Sequence, residues 1–200
     1  MNPLKSVTGT LVSGLVIALV IGLTTDMTGP DSARFVIWAH VIVGITWVGL
    51  LYYFNLVQVQ ALGEAAADEG GPGGAGITKY VAPRALLWFR WAALATWVTG
   101  AIYLLEKGNF LSAFTLGQAG SGDSVYGLTI GIGAWMGSIM LFNVWILIWP
   151  NQKKILGMVE ATPEQIAKAK STALMASRTN TMLSIPMLMS MVGAHHGFFI

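Results

Sequence analysis

Apolar residues in this chain gather into long, nearly unbroken runs, with no sustained two-residue alternation. Five runs, near 8–27, 35–59, 85–105, 126–149 and 178–198, are each long enough to cross a hydrocarbon core of about 30 Å, which takes roughly 20 helical residues. Each has to be helical, because an isolated strand leaves its backbone unsatisfied in lipid. The pattern predicts an all-α integral membrane protein: a single domain over residues 1–200, built as a bundle of five transmembrane helices, with loops at 60–84 and 150–177. Lys5 ahead of the first run resembles the start of a signal peptide. That run is long for a signal and no clear A-x-A site follows it, so it is expected to be a retained span.

Local signals refine the pattern. Residues 64–76, EAAADEGGPGGAG, read as a flexible, mildly acidic linker. Thr162-Pro163-Glu164-Gln165 supplies an N-cap, a proline at the first helical position and a glutamine at N3, so a capping box is expected. A helix starting there and running through the fifth span to 198 would be about 54 Å long at 1.5 Å per residue, and Pro186 would kink it. Gly127, Gly131, Gly133 and Gly137 form two overlapping small-xxx-small frames in the fourth span. Their first reading is close helix packing, and their second is clearance for a flat cofactor.

Composition agrees with a membrane protein. Hydrophobic residues make up 54% of the chain and charged residues 10%, with a mean hydropathy of +0.65. Ordinary soluble domains carry about a quarter charged residues, so lipid must cover much of this surface. The net charge of +2 points to membrane topology, and no nucleic-acid partner is expected because no aromatic–basic interleaving marks a soluble face. With five spans, Lys5, Lys79, Arg84, Arg90, Lys153, Lys154, Lys168, Lys170 and Arg178 fall on one side, and Arg34 and Lys107 on the other. The positive-inside rule then places the N-terminus and both long loops in the cytoplasm and the C-terminus outside. Trp88, Trp91, Trp145 and Trp149 fit an interfacial aromatic belt, and Arg90 is expected to snorkel to the surface.

The absence of cysteine excludes disulfides, thiolate metal sites and covalent c-type haem attachment within this sequence. Any metal must rest on other ligands, and the histidines are His40, His195 and His196. His40 lies about 9 Å beyond Arg34 on a helix entering from outside, while the adjacent pair ends a helix leaving towards the outside. All three belong to the outer half. Walking back from His195 at helical spacing meets Met191, Leu188, Ser184, Thr181 and Ser177; the walk from His196 meets Val192, Met189, Ile185 and Met182. The hydroxyl-bearing stripe is expected to face inward, which favours His195, with His196 as its substitute. Gly44 and Trp47 share a face with His40, the glycine leaving room for a porphyrin edge and the tryptophan forming a wall. Two neutral imidazoles at one depth on different helices suit a six-coordinate haem b, with Arg34 placed to meet a propionate. The plainer reading is that His40 hydrogen-bonds a neighbouring helix and the other two sit at the interface. The Met182–Met191 run reads as packing. No nucleotide loop, nucleophile with a base, or paired carboxylates occur in the spans.

Four segments, WAHVIVGITWVGLLYYFNLVQ (38–58), WFRWAALATWVTG (88–100), FNVWILIWPNQKK (142–154) and SRTNTMLSIPMLMSMVGAHH (177–196), resemble the membrane domain of the bacterial urate hydroxylase (urate oxidase N-terminal) family. In that family a longer membrane domain is fused to a cytochrome c domain. The resemblance implies a bacterial inner-membrane, multi-pass redox protein that passes electrons to or from a separate c-type carrier. His40 matches the family's histidine in H-x-x-x-G-x-x-W-x-G-L, and His195 matches the one after the IP-containing span. The chain is shorter than the family pattern and has no attachment cysteines for a fused c-type domain, which counts against urate oxidation itself. Three functions stand as expectations: a haem b membrane redox protein, a non-catalytic subunit of a larger respiratory-type membrane complex, and oxidation of urate or a related purine. An oligomer is compatible with each.

Overall fold

A computed structural model describes residues 2–25, 31–120 and 122–197. Asp26 and Met27 of the first expected span and Phe198 of the fifth lie outside the described residues. The chain divides into two compact units, Met1–Ser32 and Ala33–Ile200. The described residues of the first form a 3-10 turn (Pro3–Lys5) and one long helix, α1 (Val7–Thr25), apolar around its whole circumference, as suits a membrane span.

Among its described residues, all regular structure of the second unit is helical, with turns and loops between the helices. It comprises α2 (Ser32–Tyr52), α3 (Val59–Ala67), α4 (Ala82–Glu106), the short α5 (Phe110–Phe114), α6 (Ser124–Phe142), α7 (Trp149–Ile155) and α8 (Pro163–His196). π-helical turns at Tyr53–Gln58 and Asn143–Ile148 join α2 to α3 and α6 to α7, and a third at Ile77–Val81 leads into α4. The long loops are therefore mostly helical. The linker shrinks to the residues between Ala67 and Ile77, and the segment after the fourth span to those between Ile155 and Pro163.

Cross-helix contacts fix the directions. Phe54 meets Phe89 edge to face at 5.3 Å, Trp91 meets Trp145 at 5.3 Å, and the Trp97 indole donates to Ser138 at 2.8 Å. Tyr52 pairs with Ser184 at 3.0 Å and Asn143 with Asn180 at 2.8 Å. Successive long helices α2, α4, α6 and α8 thus alternate in direction. The core they share is apolar: Trp47, Leu51, Phe89, Met140 and Val144 are all at most 2% exposed. A smaller cluster of Leu104, Ala113 and Ile130 closes the end where α5 lies.

Among the described residues, four helical stretches, Val7–Thr25, Ser32–Ala67, Ile77–Glu106 and Ser124–Ile155, are long and apolar enough to cross a membrane. The helix α8 is long enough but more polar: Glu164, Gln165, Lys168, Lys170 and Arg178 are exposed along it, while Asn180, Ser184 and Ser190 are turned inward, at most 1% exposed. Its N-terminus carries the expected capping box, with Thr162 and Gln165 exchanging both hydrogen bonds.

The fourth-span glycines divide by what they face. A Cβ on Gly127 would strike Ser112 and one on Gly131 the Ala113 carbonyl, so both admit α5; Gly133 lies against Ser190 and Met191 of α8. Gly137 has open space.

Candidate functional site at the histidine end of the bundle

His40 reaches across to α4. Its Nδ1 lies 2.9 Å from the Thr96 carbonyl and 3.2 Å from the Thr99 hydroxyl. A carbonyl oxygen can only accept, so Nδ1 carries the proton and donates. The Thr99 hydroxyl is already directed at the Ala95 carbonyl at 2.7 Å and presents its lone pair to the ring. Nε2 is therefore left with its lone pair. The imidazole lies over Gly100, where a Cβ would sit 2.9 Å from Cε1. Glycine is what allows the ring this close to the α4 backbone.

Gly44 and Trp47, expected to frame a porphyrin, face α4 and the core. The position of a Gly44 Cβ is 3.7 Å from the Thr96 methyl, and Trp47 is 2% exposed within the apolar cluster. The Trp47 indole nitrogen has no hydrogen-bond partner among the described residues. Arg34 is exposed in the first turn of α2.

At the end of α8, His195 is exposed and meets the Tyr126 ring edge to face at 5.7 Å. The buried face of α8 runs through Ala169, Ala173, Ala176, Asn180, Ser184, Met187 and Ser190. His195 sits about 75° round from the centre of that face and His196 about 175°, at 100° per residue. The stripe expected to point inward does so in part: Ser184 is buried and Met191 packs against the core, while Leu188 is 40% exposed; Val192, Met189, Ile185 and Met182 of the other stripe are exposed. Asn180 and Ser190, absent from that stripe, also make buried bonds, both to α6 and its π-turn. Asn180 holds Asn143 and the Met140 carbonyl, and Ser190 holds the Thr129 carbonyl.

The two histidines share an end and a depth but touch different neighbours. From the Tyr52–Ser184 contact, His40 lies 12 residues along α2 and His195 lies 11 along α8, so both stand about 16–18 Å away in the same direction. Among the described residues no group of three His, Asp or Glu side chains converges as a metal site. Thr96, Thr99, Gly100 and Tyr126 were missed by sequence reasoning. The only local hint was the run T-W-V-T-G, which is small and hydroxyl-bearing within an otherwise bulky span.

A polar seam continues towards the other end. Asn55 donates to Ser177 at 2.8 Å and to the Leu51 carbonyl at 2.9 Å, inside the π-turn after α2. Asparagines in an apolar span are the signal that would have found it, since polar groups in lipid need partners.

A family model described as "Urate oxidase N-terminal" matches residues 109–200. This is the family that the sequence resembles, and the match spans α5 to α8, with His195 inside it and His40 before it. Searches of curated proteins and of solved structures find no match.

Proposed function

We propose that this chain, whose residues 109–200 match the urate oxidase N-terminal family, is a membrane redox protein that holds haem b through His40 near the outer face and exchanges electrons with a separate carrier. The observation that carries this reading is the His40–Thr96 hydrogen bond of 2.9 Å. Histidines that ligate metals almost always give their other ring N–H to a carbonyl or carboxylate, which fixes the tautomer and the ring. His40 is held in that way, with Nε2 left to ligate. His195, at the same depth on α8, would be the second residue to hold the iron, with His196 as its substitute. Arg34, exposed near the start of α2, would be the cation that meets a propionate. Bound haem would supply one-electron chemistry within the bilayer. The chain's own residues orient the ligand: Thr96 and Thr99 aim His40, and Gly100 gives it space.

The same reading takes α8 as a fifth span, its polar face shielded from lipid by α6, in a bacterial inner membrane. Nine of eleven basic residues then lie on the cytoplasmic side with the N-terminus, and both histidine-bearing helix ends lie outside. A visible spectrum of the purified chain tests the haem. A Soret band that disappears in the His40→Ala/His195→Ala double variant is the expected result. No band in the wild type, or an unaltered band in the double variant, overturns the reading.

A further inference from the structure

The end of the bundle opposite the histidines carries its own cavity. It measures about 400 Å³ and lies between α7 and α8, lined by Asn151, Lys154, Gln165, Lys168, Ala169 and Thr172. Its lining follows from helical spacing. Asn151 and Lys154 stand three apart on α7, and Gln165, Lys168, Ala169 and Thr172 share one face of α8 at spacings of three and four. Ala169, 1% exposed, leaves the floor low.

The lining offers donors and positive charge. Lys154 is partly buried between the helices, no carboxylate lines the cavity, and neither lysine forms an ion pair among the described residues. Gln165 spends its oxygen on the Thr162 N–H at 3.0 Å, which leaves its amide hydrogens to donate. Asn151 uses one of its amide hydrogens on the Leu147 carbonyl at 2.7 Å and retains the other. The α7 end is fixed by Gly157 at φ +67, with the Met158 N–H bonded back to the Lys153 carbonyl at 2.8 Å. Beside it, Trp149 carries the Arg90 guanidinium 3.8 Å above its ring and the Lys153 ammonium at 6.0 Å. Such an aromatic ring beside cations marks the headgroup level of a bilayer.

We infer that this cavity binds a phosphate-bearing anion, with the phosphodiester of an anionic phospholipid headgroup as the occupant in the membrane. Lys154 and Lys168 neutralise the charge, while Asn151, Gln165 and Thr172 donate to the oxygens. Basic pockets between transmembrane helices at the basic side of a bilayer take such headgroups. The W-P-N-Q-K-K segment thus has a role independent of the histidine end.

The purified full chain in mild detergent is offered dioleoylphosphatidylglycerol or dioleoylphosphatidylcholine, and retained lipid is counted by native mass spectrometry. The wild type should keep the anionic lipid in preference, and Lys154→Gln and Lys168→Gln should each lower retention about fivefold. Lys154→Arg/Lys168→Arg should retain it, and Lys170→Gln, outside the cavity, should change nothing. Equal retention of both lipids, or unaltered retention in a Lys154→Gln/Lys168→Gln variant that elutes as the wild type does, overturns the proposal. In a parallel arm, millimolar inorganic phosphate alone is added. Should it raise the unfolding midpoint of the wild type but not of the double variant, with no lipid kept, the anion site stands and its ligand is a soluble phosphate.

Discussion

Asn143 donates its side-chain amide to Asn180 at 2.8 Å, and Asn180 donates onward to the Met140 carbonyl at 2.9 Å. Both asparagines are buried, at 7% and 0% exposure. Asn143 opens the π-turn that ends α6, so the pair ties that widened turn to the middle of α8. Replacing Asn180 alone strands the Asn143 amide without a partner. Asn180→Leu should cost about 1–2 kcal/mol, towards the upper range for interhelical bonds in membranes. Removing both partners costs less than the sum of the single changes, because no stranded amide remains. Thermal unfolding of Asn143→Leu, Asn180→Leu and the double variant in detergent measures this. Strict additivity would show that the pair is not coupled.

The glycines of α6 make a sharper contrast. Gly131→Ala drives a methyl into the Ala113 carbonyl, which belongs to backbone and cannot rotate aside. Gly137→Ala meets open space. Gly131→Ala should destabilise by about 1–3 kcal/mol through overpacking. Gly137→Ala should be neutral or stabilising by up to about 1 kcal/mol, the gain in helix propensity. The same unfolding assay reads both, and similar midpoints for the two variants would rule out close α5–α6 packing.

Much of the architecture was legible because lipid imposes simple rules. Long apolar runs became helices, and Thr162 with Gln165 formed the capping box their spacing implied. The inward face of α8 was only partly legible. Counting hydroxyls favoured the Ser177–Ser184 line, whereas Asn180 and Ser190, outside that line, also turn inward with bonds to α6. The partners of His40 were hidden for another reason. Thr96 and Thr99 lie 56 and 59 residues away, and nothing local to His40 marks which helix it will meet. The π-turns left no trace either, as Y-F-N-L-V-Q and N-V-W-I-L-I read as plain apolar helix.

Topology is open to a direct test because the chain has no cysteine. Single cysteines at Gly73, in the linker after α3, and at Ala119, between α5 and α6, should label from opposite sides of the membrane with a charged maleimide. Positive-inside orientation predicts that Gly73→Cys is blocked in intact cells and Ala119→Cys is labelled. Gly197→Cys, just past α8, reports the fifth span: it should label with Ala119→Cys. Labelling alongside Gly73→Cys instead would reduce the count to four.

Gly100 separates the orientation of His40 from the stability of the bundle. An added methyl would stand 2.9 Å from the imidazole Cε1 and 3.2 Å from Nδ1, too close for the ring to stay. The ring must swing, and the 2.9 Å bond to the Thr96 carbonyl lengthens or breaks. The helix itself gains up to about 1 kcal/mol from Gly→Ala, which offsets the lost hydrogen bond of about 0.5–1.5 kcal/mol. Gly100→Ala should therefore unfold within a few degrees of the wild type while the Soret position or intensity changes. Gly49→Ala on α2, which meets nothing within 4 Å, serves as the control and should leave the spectrum as it is. Identical spectra for the wild type and Gly100→Ala would mean that the imidazole held against Thr96 is not the iron ligand. His40 would then be a helix-packing residue and nothing more.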